Sequence, residues 1–147
     1  MKTSKIAQPM PLPIGSLLHH LARRIETETS EALCDINLPL REFSLLIRLS
    51  VHPGLCQRDY AEQLAVDVST FGRMVDRLVH QGLLERRNMP VDRRSKSLRL
   101  LPAGQDRLAA GYVHVAAVEK RVLAPLPPDQ QQTFRTMLGL LSPPQDG

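Results

Sequence analysis

Residues Val68 to Gly104 read VSTFGRMVDRLVHQGLLERRNMPVDRRSKSLRLLPAG, and within them the hydrophobic period changes from helical to alternating. On a helix turning about 100° per residue, Val68, Phe71, Met74, Val75, Leu78 and Val79 fall on one side. Ser69, Thr70, Arg73, Asp76, Arg77 and His80 share the other. Gly82 suits the end of such a helix. Leu83 and Leu84 then lead into Arg86 and Arg87, a polar turn containing Pro90 follows, and Leu98 and Leu100 alternate with Ser97 and Arg99. The pattern predicts a helix followed by a β-hairpin whose tip is Met89 to Lys96. Hydroxyl and guanidinium groups near a helix N-terminus can reach base edges and phosphates when the helix lies in a major groove. Any amphipathic surface helix presents a similar face, so the order of the surrounding elements has to carry the rest.

The hairpin also concentrates the charge. Glu85 to Arg99 contains six Lys or Arg and two acids, while the remainder of the chain balances thirteen against thirteen, so this segment carries the whole formal net charge of +4. A localised positive charge suits a polyphosphate, which releases condensed counterions when fixed cations replace them. A solvated loop would have the same composition. Two Tyr, three Phe and no Trp leave few stacking platforms for single strands, so a duplex is the favoured nucleic acid.

Outward from this centre, Gln57 to Val66 reads as a short helix carrying Tyr60, Ala61 and Leu64 inward. A helix from about Pro39, a residue suited to a first helical position, runs through Phe43, Leu46, Ile47 and Leu49 to the Pro53-Gly54 break. Ile14, Leu17, Leu18, Leu21, Ile25, Ala32 and Leu33 mark a long amphipathic helix. Pro102 opens another through Leu108, Tyr112, Val115, Val118 and Val122, and a last helix after Pro127-Pro128 is expected to bury Phe134, Met137, Leu138 and Leu141. The expected class is mainly α (α+β), a winged helix-turn-helix flanked by N- and C-terminal dimerisation helices. A single domain spans 14–141, with a core at 38–101, flanking helices at 14–36 and 102–141, and tails at 1–13 and 142–147. Isolated long helices bury little by themselves, so a second copy of the chain is the expected cover, in a two-fold homodimer. Pro9, Pro11 and Pro13 interrupt any early apolar run, so no membrane partner is expected and the cytoplasm is the expected location.

Catalysis and metal binding find no support. Ser69, Asp76 and His80 lie along one helix face, where a nucleophile and base cannot meet as a triad requires. His19, His20, His52, His80 and His114 show no metal-ligand spacing, and Pro53-Gly54 would break a helix aligning His52 with Cys56. There is no glycine-rich phosphate loop, so no cofactor is expected. The protein is not expected to be an enzyme.

The run from Leu38 to Leu108 resembles the MarR family of winged helix-turn-helix transcriptional regulators. The resemblance rests on VSTFGRMVDRLVHQGLLERR at Val68 to Arg87, DRRSKSLRLL at Asp92 to Leu101, and PAG at Pro102 to Gly104. It implies a homodimeric repressor that sets two recognition helices in successive major grooves, and two wing tips in adjacent minor grooves, of a pseudo-palindromic double-stranded DNA operator. By position it assigns Ser69, Thr70, Arg73 and Arg77 to the recognition helix and Arg93, Arg94 and Lys96 to the wing, with Asp92 as a brace. Gln57, Arg58, Arg86 and Arg87 are candidate phosphate contacts or solvated residues. Asp76 is expected to pair with a nearby arginine. The chain departs from the pattern at Gly72, where a second Thr is common, at Leu101, where Thr often caps, and at Met89 and Val91, which replace acids.

The resemblance also implies release of DNA by a small-molecule effector or by cysteine oxidation. Cys34 and Cys56 are the candidate redox sensors, and the alternative for both is a buried small apolar group. The reading from a different class is a winged-helix protein-interaction module whose basic wing meets an acidic partner.

Overall fold

The computed structural model describes residues 11–88 and 96–142. In chain order they form α1 (Ile14–Cys34), α2 (Leu40–Val51), α3 (Gln57–Gln63), α4 (Val68–His80), β1 (Leu84–Asn88), β2 (Lys96–Leu100), α5 (Pro102–Leu123) and α6 (Pro128–Leu141). The architecture is a winged helix-turn-helix carried between long terminal helices.

Local chemistry sets most boundaries. Pro39 caps α2 with an extended ψ of 142° instead of occupying its first turn as expected, and α2 ends before the turn at Gly54, whose φ is +93°. Pro102 does open α5, at the first helical position, where its missing N–H leaves no helical acceptor unserved. α3 stops short of the expected Val66 because Ala65 adopts φ +50°, turning the chain so that Val66 N donates to Ala61 O at 3.1 Å. Gly82, at φ +71°, closes α4, and Leu83 N donates back to Leu78 O at 3.0 Å. β1 and β2 pair antiparallel with Leu84 opposite Leu100, Arg86 opposite Leu98 and Asn88 opposite Lys96. Lys96 is therefore a strand residue and not part of the turn. Met89, Val91, Asp92, Arg93 and Arg94 lie outside the described residues.

The core is built where these elements converge. Leu33, Leu38, Leu45, Leu46, Tyr60, Val75, Leu78 and Leu84 are almost fully buried, and the Tyr60 hydroxyl donates to His52 O at 2.6 Å. α5 belongs to this core as much as to the flank. Leu108, Val118 and Val122 are buried, Gly111 lets α5 lie against the Phe43 ring, and Phe43 meets Tyr112 edge-on at 5.4 Å. Arg121 of α5 reaches Glu28 of α1 at 3.3 Å, and Glu28 is held below the usual carboxylate range first by Arg24 and then by Arg121.

α6 behaves differently from expectation. It buries no residue in the single chain: Phe134 and Leu138 are half-buried, while Met137, Leu140 and Leu141 are exposed. Ile14, Leu17 and Leu18 of α1 are exposed as well. Val68, in the first turn of α4, also departs, at 77% exposed. Among the described residues no helix is long and apolar enough to cross a membrane.

Candidate nucleic-acid interface

Asp67 starts α4 by accepting a hydrogen bond from Thr70 N at 2.8 Å, which serves one of the orphan donors of the first turn. That bond, chiefly, keeps the Asp67 carboxyl below its ordinary range. The helix then places Phe71, Met74, Val75 and Leu78 inward, so Ser69, Arg73, Asp76 and His80 form an exposed line at three- and four-residue spacing. Thr70 is half-buried beside it and accepts from Arg73 Nη2 at 3.3 Å, steadying the arginine on the outward face.

Asp76 pairs with Arg86 of β1 at 2.6 Å, as its position suggested. Asp76 is two-thirds exposed, so the pair adds at most about 1 kcal/mol. Its main effects are to neutralise the Asp76 carboxylate and to tie the hairpin to α4. On the hairpin's other face Glu85 lies between Arg87 and Arg99, which reaches it at 2.6 Å; Arg87 first, then Arg99, lower its pKa. Of the four basic residues of this stretch among the described residues, Arg86, Arg87 and Arg99 are engaged by carboxylates, a distribution that composition does not reveal. Lys96 donates to the Asn88 side chain across the strands. Gln57 and Arg58 open α3, where Arg58 is highly exposed and pairs with Glu62 at 2.9 Å.

Arg77 departs from its expected place. Its Nη2 donates to Asn37 Oδ1 at 3.1 Å and its Nη1 stands 3.4 Å from Glu42, so the guanidinium turns toward the α1–α2 junction and away from the outward line. Glu42 itself is the polar residue that sequence reading missed. It shares the 42, 45, 46, 49 stripe of α2 with three leucines, and that spacing was the available signal. Neither thiol is fully buried: Cys34 is exposed and donates to Ser30 O, Cys56 is half-buried at the start of α3, and both are free. Among the described residues no cluster of His, Cys, Asp or Glu could hold a metal.

Gly72 interrupts this face with empty space, since a Cβ there would meet nothing within 4 Å. Gly72→Ala should therefore stabilise the protein by about 0.5–1 kcal/mol, by removing backbone freedom from the unfolded chain. A thermal melt showing a lower midpoint would contradict the open environment.

Comparison with known proteins agrees with this fold. The model of the MarR family matches residues 38–96, the stretch from two residues before α2 to the first residue of β2. The HTH-type transcriptional repressor Rv2887 of Mycobacterium tuberculosis is 31% identical over 126 residues, covering 86% of this chain and 91% of that protein. The crystal structure of Rv2887 in complex with DNA matches with a TM-score of 0.78 at 28% identity, over 90% of this chain and all of that one. Its complex with salicylic acid gives 0.77 at 30% identity, over 92% of this chain and all of that one. By its sequence and its fold together, the chain belongs to the MarR family of transcriptional regulators.

Proposed function

We propose that this regulator is a repressor that binds a pseudo-palindromic duplex operator as a homodimer in the cytoplasm and lets go when a small molecule binds. The exposed line Ser69, Arg73, Asp76, His80 on α4, beside a basic hairpin, carries this reading. Ser69, Thr70 and Arg73 face the bases, with Asp76 neutralised by Arg86. Arg93 and Arg94 enter the minor groove, where an arginine reads width and potential more than base identity, and Asp92 braces them. Lys96, Gln57 and Arg58 meet phosphates, while Arg77 serves as an internal tie. Residues 14–141 act as one domain, with 38–101 reading DNA and the outer helices joining two protomers. Rv2887 has been crystallised with DNA and with salicylic acid, which supports duplex DNA as partner and a small aromatic anion as effector. Oxidation of Cys34 or Cys56 is the competing release signal.

A mobility-shift titration tests the reading. Duplex affinity should fall steeply as salt rises, and replacing Arg93 and Arg94 with Ala should flatten the slope by about one unit for each phosphate no longer neutralised. Arg73→Ala should instead relax sequence discrimination by about 1–3 kcal/mol. Absence of duplex binding at low salt would overturn the proposal in favour of a protein-interaction module. Release by salicylate that persists after both cysteines are changed to Ser separates the two signals.

A further inference from the structure

The core contains a carboxylate at a position that its helix pattern reserves for an apolar side chain. Glu42 is 4% exposed in the first turn of α2; its Oε1 lies 3.4 Å from Arg77 Nη1, and its Oε2 has no hydrogen-bond partner among the described residues. Arg77 arrives from α4 and also grips Asn37, which takes φ +51° in the α1–α2 turn. Arg107 arrives from α5, acts on the same carboxylate, and donates through Nη1 to Ile36 O at 3.0 Å. One buried charge thus gathers the α1–α2 turn, α2, the recognition helix and the helix that leads to the dimer surface.

Its energetics argue against a purely stabilising role. Burial raises the Glu42 pKa, and Arg77 and then Arg107 oppose the rise without cancelling it. A carboxyl that holds its proton more tightly in the folded state makes folding less favourable as pH climbs from the unfolded pKa to the folded one, and the deficit persists above that window. At neutral pH the ionised form is therefore a net loss in stability. Buried ionic groups are retained in some proteins because they fix a geometry; Arg77, whose side chain is 40% exposed, keeps contact with water when the carboxylate loses its charge.

We propose that Glu42 is a positioning residue for DNA reading: through Arg77 it locks α4 to the α1–α2 turn and to α5, so that the presentation of Ser69, Thr70 and Arg73 is tied to the helices joining the protomers. The proposal rests on the duplex-binding reading above. Among the described residues the charged groups acting on the carboxylate are Arg77 from α4 and Arg107 from α5.

Glu42→Gln keeps the shape and one acceptor oxygen while removing the charge. The variant should melt at the same temperature or higher, yet bind a retained genomic duplex about five- to tenfold more weakly at pH 7.5, the size of a modest coupling between sites. As the pH is lowered through the raised Glu42 pKa the wild-type affinity should converge on that of the variant. Equal affinities at pH 7.5, a gap that does not change with pH, or a variant that fails to fold would each overturn the proposal. Wild-type protein that binds no duplex would sink the DNA reading itself. The latch is then judged in the free protein, where the Arg77 side-chain NMR resonance should follow the Glu42 titration and stay fixed in Glu42→Gln; a resonance indifferent to both sinks the latch alone.

Discussion

Gly104→Ala should destabilise the protein by about 3 kcal/mol, at the upper end of what forcing one methyl group into a packed core typically costs. Gly104 is the first-turn glycine of the PAG motif that opens α5. A Cβ built there would lie 2.3 Å from the carbonyl oxygen of Leu83 and 2.6 Å from Leu100 Cδ1. The leucine methyl could swing aside, but the carbonyl cannot, because Leu83 O already accepts from Leu101 N at 3.0 Å and so fixes the entry of β1 against the exit of β2. Relief would require α5 to lift from the hairpin, opening the core around Leu84, Leu98 and Leu108. Against a typical stability of about 5–15 kcal/mol this is a large fraction, and a fall in thermal midpoint of about 10 °C is expected. A variant melting within about 2 °C of wild type would mean that the close approach is not what demands glycine there. Gly72→Ala provides the opposite control, since the same added methyl meets only open space.

This contrast shows what the chain's pattern could and could not convey. The motif PAG signalled a helix start, yet nothing in its three letters says that the glycine faces a backbone oxygen from the residue that precedes the hairpin. The amphipathic split of α4 was legible, because Phe71, Met74, Val75 and Leu78 recur at helical spacing and are buried, leaving Ser69, Arg73, Asp76 and His80 outside. The hairpin was legible from the alternation of Leu98 and Leu100. Arg77 was not, since spacing places a side chain on an arc while its partner on another helix, Glu42, decides which way a long flexible side chain turns. Val68 failed for a different reason: a first-turn residue points toward the helix N-terminus, and there it stays 77% exposed at the rim of the cleft it lines with Gln57, Arg58 and Ala61.

The outer helices illustrate the same division. Periodicity marked α5 and α6 alike as amphipathic, but it could not say what each would lie against. α5 turned out to contribute Leu108 to the domain core, with Val115 packed against it, so removing everything after Ala103 would strip that core as well as the outer helices. A truncation of that kind cannot report on assembly. Point changes in α6 can, because α6 contributes no buried residue to the single chain.

Leu140→Glu combined with Leu141→Glu should convert the proposed homodimer to a monomer and lower affinity for the proposed operator by about a hundredfold or more. In the single chain the two leucines are 81% and 80% exposed, and Met137, Leu17, Leu18 and Ile14 add further apolar surface on the terminal helices. Exposed apolar side chains of this number favour a protein partner over water, and an identical chain offers the same helices in return. Placing two carboxylates there makes association expel charges from water without a counterion, while the fold should tolerate them, since neither site is buried in the monomer. Loss of the dimer then removes the benefit of linkage: two rigidly joined reading heads make the second half-site encounter intramolecular, an advantage of about 10²–10⁴ that a monomer forfeits even with α4 intact. Light scattering should give the mass of one chain, circular dichroism an unchanged helix signal, and the mobility shift a drop in affinity with the same base preference at each half-site. A dimeric mass for the double variant would show that the protomers join elsewhere, and a monomer that binds the full operator as tightly as wild type would show that the two half-sites are read independently.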